Sequence, residues 1–186
     1  MINNYGRWAS NALQGRPVWI KRNKLISKYI QKCRSVLDVG AGSQNLRRFL
    51  RPEVTYTAID LIGGKAGSIA CDLNTAKIPS LARHDVCVIS GLLEYILDPI
   101  SLINDCLSLS GRLIFSYSPL DFRPSYDGRR EKNWINHLRV DQLLFLLNSS
   151  SLKPRVLFVW ENQLVIEVTK PADVTKFLNA KISGIY

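Results

Sequence analysis

Ser35-Val-Leu-Asp-Val-Gly-Ala-Gly-Ser43 is the stretch on which the fold depends. Val36, Leu37 and Val39 form a short apolar, β-branched run, and Gly40 and Gly42 follow it at once. Runs of this kind read as strands, while glycine permits a tight turn and a close backbone approach to a ligand. If a helix follows the turn, its first free amides are presented at the strand's carboxyl end. Outward from this stretch the pattern repeats. Residues 55–59, 68–70, 85–89 and 112–117 are further short apolar runs, with helix-compatible segments between them. Strands that alternate with helices form a mostly parallel sheet buried on both faces.

The helices are less sharply marked. Residues 45–50, 99–109 and 140–148 have suitable lengths and apolar spacing. Asp98 before Pro99 reads as an N-cap with proline in the first turn, and Asp141 as a helix-start residue. Residues 155–160 and 163–169 are β-rich and separated by a turn at Glu161 and Asn162, which predicts an antiparallel hairpin. Residues 4–14 and 18–32 read as two N-terminal helices that could cover a sheet edge or close over a ligand. The expected fold is α/β: a Rossmann-like three-layer αβα sandwich whose mostly parallel seven-stranded sheet ends in that hairpin.

A chain of 186 residues with 46% hydrophobic content can bury one continuous core, and no linker or repeat divides it. One domain is expected over 1–186, with N-terminal helices in 1–34, the core in 35–170 and a tail in 171–186. No apolar run reaches the roughly 20 residues that span a bilayer, and the N-terminus lacks a signal-peptide profile. A cytoplasmic location is expected. Cys33, Cys71, Cys87 and Cys106 form no CxxC pair, so neither a disulfide framework nor a metal site is indicated. The net charge of +10 is concentrated early, with Lys21, Arg22, Lys24, Lys28, Lys32 and Arg34 close together. Such a surplus suits an anionic partner or simply a solvated basic face.

Two acidic residues sharpen the glycine turn. Asp38 lies two residues before Gly40, and Asp60 ends the second run, 20 positions after Gly40. A carboxylate at that second place can accept hydrogen bonds from both hydroxyls of a ribose. Other roles remain open: Asp60 as a helix cap, Asp72 in an Asx turn, and Asp38 as a cap of its own loop.

From about Val36 to Thr169 the chain resembles the class I S-adenosylmethionine-dependent methyltransferases. VLDVGAG looks like the family's first motif, YTAID its second and ACDLN its third. DVCVISGLLEYILDP looks like the fourth motif with its following helix, and GRLIFSYSP like the motif of the fifth strand. The resemblance implies that S-adenosylmethionine binds along Asp38, Gly40, Ala41, Gly42, Asp60, Leu61, Asp72, Leu73, Gly91 and Leu92. Asp38 and the glycine loop would lie near the methionine moiety, Asp60 on the ribose, Asp72 and Leu73 at the adenine, and Gly91 and Leu92 beside the sulfonium and acceptor. Gln44 stands where a third glycine is common in the family.

Residues 118–137 are longer than an ordinary connection and rich in polar and aromatic groups, which suits a mobile loop over the acceptor. His137 and Tyr117 are the candidate catalytic residues, His137 as a general base. His84 reads as a surface loop residue. LEYI in the fourth motif, SP after the fifth strand and NHL before the last helix look similar to bacterial enzymes that methylate small molecules or glycan intermediates. A nucleic-acid acceptor is suggested by the basic surplus with Trp8 and Trp19, but Ser90-Gly-Leu-Leu93 replaces the Asn-Pro-Pro-aromatic tetrad of many amino-directed enzymes. A nicotinamide dehydrogenase is disfavoured because Asn45 occupies the last glycine place of GxGxxG. A cofactor-binding member without turnover is the remaining alternative.

Overall fold

The structure, a computed structural model, describes residues 16–63 and 67–170. The expected helix at 4–14 and the tail at 171–186 lie outside the described residues. Strands β1 (Ser35–Val39), β2 (Thr55–Asp60), β3 (Ile69–Ala70), β4 (Val86–Ser90), β5 (Arg112–Tyr117), β6 (Lys153–Trp160) and β7 (Gln163–Thr169) form one sheet. Its order is β3-β2-β1-β4-β5-β7-β6. The first five strands run parallel, and β7 lies antiparallel between β5 and β6. This is the sheet that the alternating runs and the hairpin predicted.

Burial on the two faces follows the strand period of two. Leu37, Val39, Cys87, Ile89, Leu113 and Phe115 face α2 (Pro99–Leu109) and α4 (Val140–Ser149), which bring Ile103, Cys106, Leu143 and Leu147 into that core. Val36, Val86, Val88, Ile114 and Val165 face the other way, onto Ile26 of α1 (Pro17–Ser27), Ile30 and Leu46. Three layers result.

The helix ends depart from the sequence reading in three places. α1 stops at Ser27 rather than 32, because Tyr29 and Ile30 already donate to the carbonyls three residues back, at 3.0 and 3.2 Å. Residues Asn45–Phe49 form a 3₁₀ turn, entered through Gln44 at φ 52 and ψ 38. The glycine place in the resemblance is thus a left-handed place here, filled by a residue that pays for the conformation with steric strain. α4 begins as expected but is capped in a different way: Gln142 Oε1 accepts from Arg139 N–H at 2.9 Å, and Asp121 Oδ2 from Val140 N–H at 2.7 Å. The Asp98 cap is present, accepting from Ser101 N–H at 2.9 Å.

After β1 the chain steps to β2 and β3 on one side, then returns to β4 and β5 on the other. The β1/β4 boundary is therefore the switch point of the sheet, and crevices for ligands open there at the carboxyl ends of strands.

Candidate active site

A cleft of about 510 Å³ lies at that switch point. Its wall includes Asp38, Gly40, Ala41, Gly42, Asp60, Leu61, Asp72, Leu73, Gly91 and Leu92, all ten residues expected to meet the cofactor. Tyr117 and His137 are not among the lining residues.

The turn after β1 is pinned to β2. Gly40 and Ala41 both donate to Ile59 O, at 2.8 and 3.1 Å, and Gly42 N–H donates to Asp60 Oδ2 at 2.8 Å. Asp60 Oδ1 accepts from Ile62 N–H at 3.1 Å. Each carboxylate oxygen can accept a second hydrogen bond, so Asp60 keeps capacity for a ligand while it braces the loop. Gly40 sits at φ +74, and a Cβ there would stand 2.9 Å from Leu92 Cδ2. The glycine thus lets β1 and the turn after β4 close together. Asp72 does form an Asx turn, accepting from Asn74 N–H at 3.0 Å, yet its side chain is exposed at the cleft. Asn74 fastens this wall to the turn after β4 through Tyr95 O at 2.9 Å and Leu97 N–H at 2.8 Å.

Asp38 is 3% exposed and accepts from Tyr56 O–H at 2.5 Å. Burial pushes its carboxyl up to about 7; Tyr56 and the charge of Arg22 pull against that shift, while Asp60 adds to it.

Sequence reasoning missed two charged residues of the wall. Arg22 was counted with the basic surface cluster, but its side chain turns inward and is 6% exposed, whereas Lys21, Lys24 and Lys28 are exposed. Its Nε donates to Ser90 Oγ at 2.8 Å, Nη2 to Ser90 O at 2.9 Å and Nη1 to Gln163 Oε1 at 2.7 Å. A signal was available, because Arg22 lies on the helical stripe of Val18, Trp19 and Ile26, where a charge needs a buried partner. Glu94, in a 3₁₀ turn at Leu93–Tyr95, is 1% exposed. Its Oε1 accepts from Ser118 N–H at 2.8 Å and Gln163 Nε2 at 3.3 Å, while Oε2 is buried with no protein partner. Burial raises the pKa of this carboxyl.

Residues 118–137 form a fastened strap with a short helix, α3 (Tyr126–Arg130), rather than an unanchored loop. Arg129 is fully buried, and donates to Ser118 O and Asn136 O, both at 2.9 Å, and to His137 Nδ1 at 3.0 Å. Its guanidinium also stacks on Trp134, 4.8 Å from the ring centre, and Trp134 lines the cleft. Glu94 O accepts from Ile135 and Asn136 N–H at 2.9 and 3.1 Å. Tyr117 is 1% exposed; its hydroxyl donates to Asn136 Oδ1 at 3.0 Å and accepts from Leu138 N–H at 2.7 Å. Burial pushes its pKa up to about 12. His137 has its pKa lowered by burial and by Arg129 and Arg130, and its Nδ1 is already an acceptor. Both residues therefore hold the strap in place. His84 is buried at 8%, not a surface residue, with Nε2 2.8 Å from Thr57 Oγ1.

No group of His, Cys, Asp and Glu among the described residues could hold a metal ion, and no helix among them is long and apolar enough to cross a membrane.

The sequence matches no protein-family model and no curated protein. Solved structures do resemble it. An O-methyltransferase from neocarzinostatin biosynthesis, crystallised with S-adenosylmethionine and 2-hydroxy-5-methyl naphthoic acid, aligns at 17% identity and TM-score 0.61 over 90% of this chain. The present chain spans 61% of that protein's length. The plantazolicin methyltransferase in complex with S-adenosylhomocysteine aligns at 14% identity and TM-score 0.66, covering 90% of each chain. The Burkholderia thailandensis 1,6-didemethyltoxoflavin-N1-methyltransferase aligns at 18% identity and TM-score 0.62, over 89% of this chain and 86% of its own. The fold is that of the class I S-adenosylmethionine-dependent methyltransferases, as the sequence motifs implied.

Proposed function

We propose that this protein is an S-adenosylmethionine-dependent methyltransferase acting on a small-molecule acceptor. The observation that carries this reading is the placement of Asp60 at the end of β2, beside a glycine turn that it braces, in a cleft at the switch point of the sheet. The wall fits an adenosine: Asp60 for the ribose hydroxyls, Asp72 for the adenine amino group and Leu73 for a ring face, with Gly40 and Gly91 leaving room for a close approach. When bound, the cofactor supplies a methyl group already activated on a sulfonium.

The chain's own residues then have two tasks, to hold the acceptor in line with the departing sulfur and to keep water out. Trp19 of α1 and Trp134 of the strap flank the cleft and provide apolar cover. Arg129 and Glu94 hold the strap by its main chain, so the cover is preorganised rather than assembled on binding. The solved structures with bound naphthoic acid and toxoflavin precursors lend support to a small-molecule acceptor.

Calorimetry with S-adenosylhomocysteine tests the cofactor site. Wild-type protein should bind one equivalent, and Asp60→Ala should bind at least tenfold more weakly while remaining folded. Equal affinity in that variant refutes the assignment. Release of S-adenosylhomocysteine from S-adenosylmethionine, followed with pooled phenolic, heterocyclic, nucleotide-sugar and RNA acceptors, tests turnover and acceptor class together.

A further inference from the structure

Two tryptophans border the cleft, and each has a guanidinium over its ring. Arg16 lies 5.3 Å from the ring centre of Trp19. Over Trp134 lie Arg123, at 5.8 Å, and Arg129, at 4.8 Å. Neither tryptophan belongs to the strand-end turns that make the nucleoside wall. Trp19 is in the first turn of α1, one turn before Asn23, whose Oδ1 accepts from Ser90 Oγ at 2.7 Å. Trp134 is in the strap that follows β5. Both rings therefore stand on the β4–β5 side of the switch point, across from Asp60 and Asp72 at the ends of β2 and β3. The main chain sets their positions: Trp19 N–H donates to Arg16 O at 2.9 Å and Trp134 N–H to Arg129 O at 3.1 Å.

The three arginines have no acidic partners. None forms an ion pair among the described residues, and residues 1–15 contain no aspartate or glutamate. Arg129 is fully buried, and its hydrogen-bond acceptors, Ser118 O, Asn136 O and His137 Nδ1, are all uncharged. A cation without a counter-charge in a desolvated wall acts into the cleft, because protein screens it less than water does. The face of an aromatic ring is negative, so a bare tryptophan attracts cations. A guanidinium over the ring offsets that negative charge. Such a pair repels a cationic guest and favours a flat, electron-rich ring that carries negative charge.

We propose that the acceptor side of the cleft takes a flat aromatic anion, which lies against Trp19 and Trp134 and is drawn in by Arg16, Arg123 and Arg129. This rests on the methyltransferase reading and narrows its acceptor. Aliphatic amines and neutral sugars have neither the ring nor the charge that these walls select.

The test titrates the full chain, loaded with S-adenosylhomocysteine, with three probes in calorimetry. Indole-3-acetate has both features, tryptamine has the same ring with a positive charge, and cyclohexylacetate has the same charge on a saturated ring. Wild type should bind indole-3-acetate at least tenfold more tightly than either of the others. The margin over tryptamine should shrink when NaCl is raised from about 0.05 to about 0.5 M, since salt screens the arginines. Arg16 is exposed and Arg123 half-buried, so the double variant Arg16→Gln, Arg123→Gln should fold. It should bind indole-3-acetate at least fivefold more weakly and S-adenosylhomocysteine within twofold of wild type. The proposal is overturned if wild type binds none of the probes, if tryptamine or cyclohexylacetate binds as well as indole-3-acetate, or if the double variant binds indole-3-acetate as wild type does. Should the double variant fail to fold by circular dichroism, the ranking of the three probes on wild type decides by itself. A wild type that does not bind S-adenosylhomocysteine refutes the methyltransferase reading instead, and the same ranking on the unloaded protein then decides whether the aromatic slot exists.

Discussion

Replacing Asp38 by Asn should make the protein more stable at alkaline pH and worse at binding S-adenosylhomocysteine. Asp38 has an ordinary pKa of 3.8 in the unfolded chain and one of about 7 in the fold. Between those values the folded state holds more protons than the unfolded state, so stability falls as pH rises through this window and the loss is complete above about 7. A shift of some three units at about 1.36 kcal/mol each gives a penalty of about 4 kcal/mol. The attraction of Arg22 and the Tyr56 hydrogen bond are already contained in that value, since both act to lower it. Asparagine has the same shape, still accepts from Tyr56 through its carbonyl oxygen, and has no charge to desolvate. Urea unfolding at intervals from pH 4 to 8 should therefore show Asp38→Asn nearly equal to wild type at pH 4 and more stable by about 4 kcal/mol at pH 8. A gap that does not change with pH, or a wild type that is the more stable at pH 8, refutes the reasoning. Because Asp38 lines the cleft, removal of its charge should also appear as weaker S-adenosylhomocysteine binding.

Arg129→Met should destabilise the protein by at least about 2 kcal/mol, since two buried carbonyls lose a charged donor; limited proteolysis should then cut within residues 118–137, and an intact strap would count against the latch. Tyr117→Phe should cost about 1–3 kcal/mol by leaving Leu138 N–H and Asn136 Oδ1 short of a partner. Its single-turnover rate should recover when the fold is stabilised by lower temperature, whereas a persistent chemical defect would return Tyr117 to the acceptor site. His137→Ala should leave cofactor affinity unchanged in calorimetry, because its ring bonds to Arg129 and does not line the cleft. Gly91→Ala should weaken S-adenosylhomocysteine binding, because φ is +76 there and a Cβ would stand 2.7 Å from Arg22 Nη2 in the wall of the cleft; full affinity in calorimetry would show that the Arg22 guanidinium can move aside.

The strands were legible because each is short, apolar and bounded by turn residues, and the hairpin because its turn at Glu161 and Asn162 breaks two β-rich runs. The nucleotide wall was legible for a related reason: it is made by residues adjacent to those strand ends. Arg22 and Glu94 were not. Arg22 meets partners 68 and 141 positions away, and Glu94 one 69 positions away, contacts that no local pattern encodes. Their only local trace is a charge placed among apolar neighbours. The strap was misjudged because an arginine-rich, proline-bearing segment has a loop's composition, whereas burial of Arg129 at its centre gives it an anchor. Gln44 shows the limit from the other side: its left-handed backbone is imposed by the turn, and nothing in its identity announces it.

The manner in which the strap is fastened bears on how the cleft could come to admit a different guest. Several of its ties end on main-chain groups of Ser118, Ile135 and Asn136; Tyr117 and His137 add side-chain ties, Tyr126 packs edge-on against His137, and Phe122 is 37% exposed. Main-chain ties are indifferent to what the neighbouring side chains are. Substitution at Phe122 can therefore change the face of the strap without disturbing the clasp, and the segment behaves as an exchangeable surface on a fixed frame.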